Sequence, residues 1–137
     1  MTEREELERR ELFEAQQYLA YWQRELRLDH IDFEIMLGNT GEMDDKLGNC
    51  KVAPSRHRQK IILRHPLDRS ERDREIFRHD LEVVVVHELL HTKEFPWRDH
   101  TKVSEVLDKD EWLSSLHEDS LDAVAEALVR ARRGIRR

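Results

Sequence analysis

The sequence predicts an α+β fold, on three observations. Apolar residues recur at three- and four-residue spacing near both ends of the chain, which is typical of amphipathic helices. Between them, apolar and polar residues alternate with a period of two, which indicates half-buried strands. A third segment, Val83–Val86, is continuously apolar and leads directly into His87–His91. We expect one domain over residues 1–137, because no stretch is long and polar enough to serve as a linker.

The first helix is predicted from Glu3 to Leu28. Charged residues surround an apolar stripe made of Leu12, Ala15, Leu19, Trp22 and Leu26. A stripe of this width is expected to pack on a sheet.

Three short strands are predicted next. Ile31 to Leu37 alternates apolar and polar residues, Gly48 to Ala53 follows a glycine-rich break, and Gln59 to Arg64 contains three consecutive apolar residues. We expect an antiparallel meander with Gln59 to Arg64 at its edge. Two interpretations of that edge are equally open: it binds a peptide by strand addition, or it is a solvated edge guarded by Lys60 and Arg64.

A second helix is predicted from a cap at Asp68 or Ser70 to about Lys93, where Phe95–Pro96 ends it. The four valines Val83–Val86 favour a strand by intrinsic propensity, because their branched Cβ restricts helical rotamers. A helix is nevertheless predicted, since a helix buried on all sides is continuously apolar.

The last helix is predicted from about His117 to Arg133. Its apolar face is Leu121, Val124, Ala125, Leu128 and Val129. For the arginines at its end, a solvated helix terminus is favoured over contact with nucleic acid.

Composition narrows the classes of function. Charged residues make up 39% of the chain and hydrophobic residues 38%, which is polar but not typical of a disordered chain. A net charge of −6 argues against nucleic acid as a partner. Cys50 is the only cysteine, so no disulfide forms within the chain. With no signal peptide and no apolar run of about 20 residues, we expect a soluble, cytoplasmic protein without a membrane partner.

The residues His87, Glu88, Leu89, Leu90 and His91 form the motif H-E-x-x-H. Histidines four apart project from the same face of a helix, so both can bind one metal ion. In a strand they would lie about 13 Å apart. Glu88 sits about 100° round the helix from His87, where it can reach a water on the metal rather than the metal itself. The motif predicts a Zn²⁺ site with Glu88 as general base.

Catalytic zinc usually has three protein ligands and one water. Glu118 on the last helix is the favoured third ligand, because Asp122 follows one turn later and can accept the second ring N–H of a ligand histidine. His117 lies at a similar angle on the other side of the apolar stripe, and His100 is in the connecting segment. Both remain open as alternatives to Glu118.

The order of a helix, a small sheet, an H-E-x-x-H helix and a helix bearing E-x-x-x-D resembles a minimal gluzincin metalloprotease. It is similar to the SprT-like, ImmA-like and phage-encoded small zinc peptidases. The resemblance implies a zincin-like minimal catalytic domain. The segment Gly48–Cys50, ahead of the strand Lys60 to Leu63, is similar to the strand region of such proteins, in which the edge strand pairs with an extended substrate. It also implies the roles of zinc ligand for His87, His91 and Glu118, general base for Glu88 and outer partner of a ligand for Asp122.

The sequence departs from that pattern in two ways. It has no C-x-x-C zinc ribbon, as SprT-like proteins often carry, and no separate domain that would supply a transition-state histidine. We therefore expect a zinc-dependent metalloprotease acting on a protein or peptide, with two alternatives. The first is a zinc-binding regulatory or interaction module, for which a fourth protein ligand such as His100 or His117 would argue. The second is an amidase, which uses the same zinc chemistry.

Overall fold

The computed structural model describes residues 2–38, 48–52, 58–68, 71–100, 107 and 109–134. The helices and strands are α1 (Glu3–Glu25), β1 (Asp32–Gly38), β2 (Gly48–Val52), β3 (Arg58–Arg64), a short 3-10 helix (Pro66–Asp68), α2 (Glu71–His100) and α3 (Glu111–Arg133). This content is the α+β class that the sequence predicts. None of the described helices is long and apolar enough to cross a membrane.

The sheet has the strand order β1-β3-β2. Strand β2 runs antiparallel to β3, with Cys50 opposite Ile61, but β1 runs parallel to β3, with Ile35 opposite Ile61. The predicted antiparallel meander is therefore wrong for β1. Consecutive buried residues, Ile61 to Leu63, explain why β3 lies in the centre, since both of its faces are covered.

The prediction that Gln59 to Arg64 forms an exposed edge is also wrong. Strand β3 is hydrogen-bonded on both sides, by β1 and by β2. The edges of the sheet are β1 and β2, so a peptide cannot add to β3 without displacing one of them.

Helix α1 begins with a capping box. Thr2 Oγ1 accepts a hydrogen bond from the backbone N–H of Glu5, and Glu5 Oε2 accepts one from the backbone N–H of Thr2. The helix ends at Glu25, three residues before the predicted Leu28, because Arg27 adopts a positive φ of 57°. Three residues of the predicted stripe are fully buried: Ala15, Leu19 and Trp22.

Helix α2 contains the H-E-x-x-H motif. Val83–Val86 are helical and buried, which confirms a helix over the strand that valine propensity favours. The backbone of Asp80 is not helical (φ −156°, ψ 52°), so a kink divides α2 before this segment. The expectation that Phe95–Pro96 ends the helix is wrong, because α2 continues to His100. Pro96 removes one backbone hydrogen-bond donor from the helix. The turn before it is held in the core by the buried side chain of Thr92.

Helix α3 begins at Glu111, well before the predicted His117. Asp110 caps it, accepting hydrogen bonds at 3.0 and 3.1 Å from the backbone N–H groups of Trp112 and Leu113. Gly134 ends it in the left-handed conformation (φ 72°). The apolar face is narrower than predicted, since Val124 is 47% exposed.

Helix α2 packs against both α1 and α3 and also contacts β2, while α1 contacts β1. A buried hydrogen bond of 2.7 Å from Thr92 Oγ1 to Gln59 Oε1 ties α2 to β3 next to His91. Helix α2 is therefore packed against the core on one side, and the face that carries His87 and His91 is turned to α3.

A buried ionic cluster joins the three helices. The side chain of Glu82 on α2 is wholly buried and accepts hydrogen bonds from Trp22 Nε1 at 2.6 Å, from Arg132 through Nε and Nη2, and from Arg133 Nη2 at 3.1 Å. Burial alone would raise the pKa of Glu82, but these donors outweigh it and lower that pKa overall. Arg132 and Arg133 are therefore structural, and neither predicted interpretation of the terminal arginines describes them.

His65, directly after β3, is buried. Its Nδ1 accepts a hydrogen bond of 3.1 Å from the backbone N–H of Leu67. The other ring nitrogen, Nε2, therefore carries the ring proton and donates a hydrogen bond of 2.8 Å to Glu8 Oε1. This bond fastens the end of β3 to α1.

Candidate metal centre

The two motif histidines meet on the face of α2 that is turned to α3. His87 and His91 are one helical turn apart, and their Nε2 atoms are 3.1 Å from each other. Both side chains are largely buried, with 11% and 16% of their surface exposed. Two ring nitrogens this close to each other could both bind one metal ion.

Glu118 brings a carboxylate to the same spot from α3. Its Oε2 lies 2.8 Å from His87 Nε2, and its Oε1 lies 3.2 Å from His91 Nε2. The donor atoms of the three residues all lie within 4.8 Å of one another. The structure therefore brings together the three residues that the sequence nominates as ligands, although 31 residues separate His87 from Glu118.

Asp122 lies behind His87, one turn after Glu118. Its Oδ1 is 2.7 Å from His87 Nδ1. The ring N–H is not aligned well enough for a hydrogen bond, so Nδ1 has a close charged neighbour without a well-formed bond. A small rotation of the imidazole on metal binding would complete that bond and orient the ring.

The charges around His87 favour a cation at this position. Burial alone would lower the pKa of His87, but Asp122 and Glu118 outweigh it and raise the pKa to about 10. Burial would likewise raise the pKa of Glu118, yet the hydrogen bonds with His87 and His91 lower it well below its usual range. In this structure a proton on His87 balances the neighbouring carboxylates, and a metal ion would take the place of that proton.

Glu88 is buried beside this group, with 4% of its surface exposed. It follows His87 directly on α2, and its charge contributes to the raised pKa of His87. Its carboxylate does not belong to the group of donors that could hold a metal ion.

A second group of donors adjoins the first. His117 Nε2 lies 2.9 Å from Glu94 Oε2, and the donor atoms of these two residues and of His91 fall within 4.8 Å of one another. His117 thus lies beside the predicted centre and pairs with Glu94, a residue that sequence reasoning missed. The signal was present, because Glu94 follows His91 by three residues and shares its helix face. The side chain of His100 lies outside the described residues.

The donors therefore form two groups of three that share His91, and not one group of four. Among the residues whose side chains the structure describes, His87, His91 and Glu118 have no fourth protein donor within the same distance. Three protein ligands leave one position of a tetrahedral zinc site for water, which is typical of catalytic zinc.

Comparison of the chain with models of known protein families, with curated proteins and with solved structures finds no match. The functional argument therefore depends on the motif, the geometry of the donors and the chemistry they allow.

The position of Asp122 leads to a first prediction. Asp122→Asn removes the charge beside His87 Nδ1, and we expect the zinc affinity to fall about 10- to 100-fold, as is usual for outer partners of ligand histidines. Competition with a chromophoric chelator measures the affinity. Asp119→Asn is the matched control, since Asp119 lies on the same helix and is exposed. Equal affinities of the Asp122→Asn variant and the wild type would exclude an orienting role for Asp122.

Proposed function

We propose that the protein is a zinc-dependent metallopeptidase of the gluzincin type with a zincin-like fold, acting on a protein or peptide. The observation that carries the proposal is the group of His87, His91 and Glu118, which supplies three donors and leaves a coordination position open. The residues fit the metal: two imidazoles and one carboxylate are a ligand set found in catalytic zinc sites.

When bound, zinc supplies Lewis acidity, which polarises a scissile carbonyl and lowers the pKa of a water toward about 7. The chain supplies the rest. Glu88 accepts the proton of the attacking water and passes it to the leaving amine. Asp122, 2.7 Å from His87 Nδ1, would orient the ring once a hydrogen bond forms between them. Glu88 and His87 are buried, which limits the access of bulk water to the carboxylate that would carry this proton.

Strand β2 is the better candidate for substrate binding after the correction of the sheet order. It is an edge strand that pairs only with β3 in the described sheet, and it contacts the motif helix α2. An extended peptide added to β2 would gain backbone hydrogen bonds and run close to α2. This assigns to Gly48–Val52 the role that the resemblance implies for the edge strand.

The alternative is a zinc-binding regulatory or interaction module that does not hydrolyse peptides. A structural zinc site usually has four protein ligands, and the first group of donors has three among the described residues. This difference favours the peptidase. An amidase would use the same centre, and substrate specificity alone separates it from a peptidase. For either enzyme we propose a cytoplasmic location.

The test combines metal analysis with a digest of a peptide library. We expect at least one tightly bound zinc per chain and cleavage of a subset of peptides, with activity lost on chelation and restored by zinc. His91→Ala, which removes a ligand, serves as the inactive control. Stoichiometric zinc with no cleavage would favour the regulatory module, and a protein that stays metal-free in excess zinc would exclude both.

A further inference from the structure

We propose that His91, Glu94 and His117 form a second metal position, which shares His91 with the first and binds a zinc-like divalent cation. The position is independent of peptide hydrolysis. It would exist in a regulatory module as well as in an enzyme.

The geometry of the second group repeats that of the first. Two imidazoles and one carboxylate lie with their donor atoms within 4.8 Å of one another, as they do around His87. His117 Nε2 is 2.9 Å from Glu94 Oε2, and the rings of His91 and His117 meet edge to face with centroids 6.2 Å apart. If His117 and Glu94 formed only an ion pair with each other, the imidazole of His91 would not be needed beside them.

The arrangement follows from the way two helices face each other. Helix α2 carries His91 and Glu94 on one face, since residues three apart are neighbours on a helix. Helix α3 then supplies one donor to each position from adjacent residues, His117 to the second and Glu118 to the first. One helix contact thus builds both positions.

The burial of the second group suits a bound ion. The side chains of Glu94 and His117 are 16% and 22% exposed. A carboxylate that is mostly removed from water is costly unless it is paired. In this structure His117 pairs with Glu94, and a cation between Glu94 and the two imidazoles would satisfy all three.

The experiment isolates the second position. The variant His87→Ala/Glu118→Ala removes two donors of the first position and leaves His91, Glu94 and His117 in place. We expect it to bind one Co²⁺ per chain, measured by the visible absorption of the metal and by equilibrium dialysis. Adding His117→Ala should abolish that binding. Adding His30→Ala, the matched control at an exposed histidine, should leave it unchanged.

Either of two results would overturn the proposal: no Co²⁺ on the double variant with native circular dichroism, or Co²⁺ that persists after His117→Ala. If the double variant fails to fold, Glu118→Ala serves instead, since that side chain is about half exposed. His117→Ala should then lower Co²⁺ affinity at least about 10-fold in the Glu118→Ala background, and an unchanged affinity would refute the second position. No arm of this test depends on peptide hydrolysis, so it fails or succeeds separately from the proposed enzyme.

Discussion

Glu88→Gln is expected to lower kcat/KM for peptide hydrolysis by about 10²- to 10⁴-fold, which is the usual contribution of a general base, while zinc affinity stays at the wild-type value. The amide has the shape of the carboxylate but cannot accept the proton of the attacking water. Because Glu88 lies outside the group formed by His87, His91 and Glu118, its charge is not needed to hold the ion. Steady-state kinetics and a zinc titration on the same preparation measure the two effects.

The control for this variant is Glu126→Gln on α3, an exposed position that undergoes the same chemical change. Its activity and its zinc affinity should both match the wild type. Retained hydrolysis in Glu88→Gln would remove the general base from the mechanism. A loss of zinc together with activity would mean that Glu88 holds the metal, which the observed grouping of donors argues against.

Much of the candidate site could be predicted from the sequence because its chemistry depends on short-range spacing. Two histidines four apart fix their own relative position once the segment is helical, and a continuously apolar run before them is compatible with a helix that is buried on all sides. Glu118 was harder to predict as the third ligand, since His117 and Glu118 lie at similar angles on either side of the apolar face of the last helix. In the structure, Glu118 contacts His87 and His117 contacts Glu94, which distinguishes the two candidates.

The errors in the fold arise where long-range pairing decides the outcome. Alternation locates three strands but does not say which pair, so the parallel pairing of β1 with β3 was missed. The run Ile61–Leu63 carried the relevant signal, because a strand with consecutive apolar residues is covered on both faces and belongs inside a sheet. The predicted helix end at Phe95–Pro96 was wrong, since α2 continues to His100. The turn before Pro96 is bound to β3 through Thr92 and Gln59, a long-range contact that the local sequence does not show.

The terminal arginines were the least predictable feature. An arginine-rich helix end is usually solvated, and nothing local connects it with a glutamate 50 residues earlier. In the structure, Arg132 and Arg133 close over Glu82, which is wholly buried. The sequence signal was a glutamate directly before four buried valines, because a charge inside an apolar run needs a partner from elsewhere in the fold.

Glu82→Gln is therefore expected to produce the largest loss of stability, about 3 kcal/mol in the free energy of unfolding, because it removes the buried carboxylate that pairs with Arg132 and one of the two carboxylates that pair with Arg133. The amide keeps the size of the side chain, so the loss reports charge and hydrogen bonding and not a cavity. Urea unfolding followed by circular dichroism measures it. Glu126→Gln is again the matched control and should change stability by less than about 0.5 kcal/mol, as is usual for surface substitutions.

The pH dependence of the stability difference between the wild type and Glu82→Gln provides an independent check that the charge of Glu82 causes it. The pKa of Glu82 in the folded protein is lower than the ordinary value of 4.5, mainly because hydrogen bonds from Arg132 and Trp22 outweigh the effect of burial. A carboxylate with a lowered pKa stabilises the fold fully above its unfolded pKa, and that contribution is lost as the pH falls through the folded pKa. The stability gap between wild type and Glu82→Gln should thus be constant near neutral pH and shrink below pH 4.5. A gap that persists unchanged in acid would mean that packing around Glu82, and not its charge, joins the three helices.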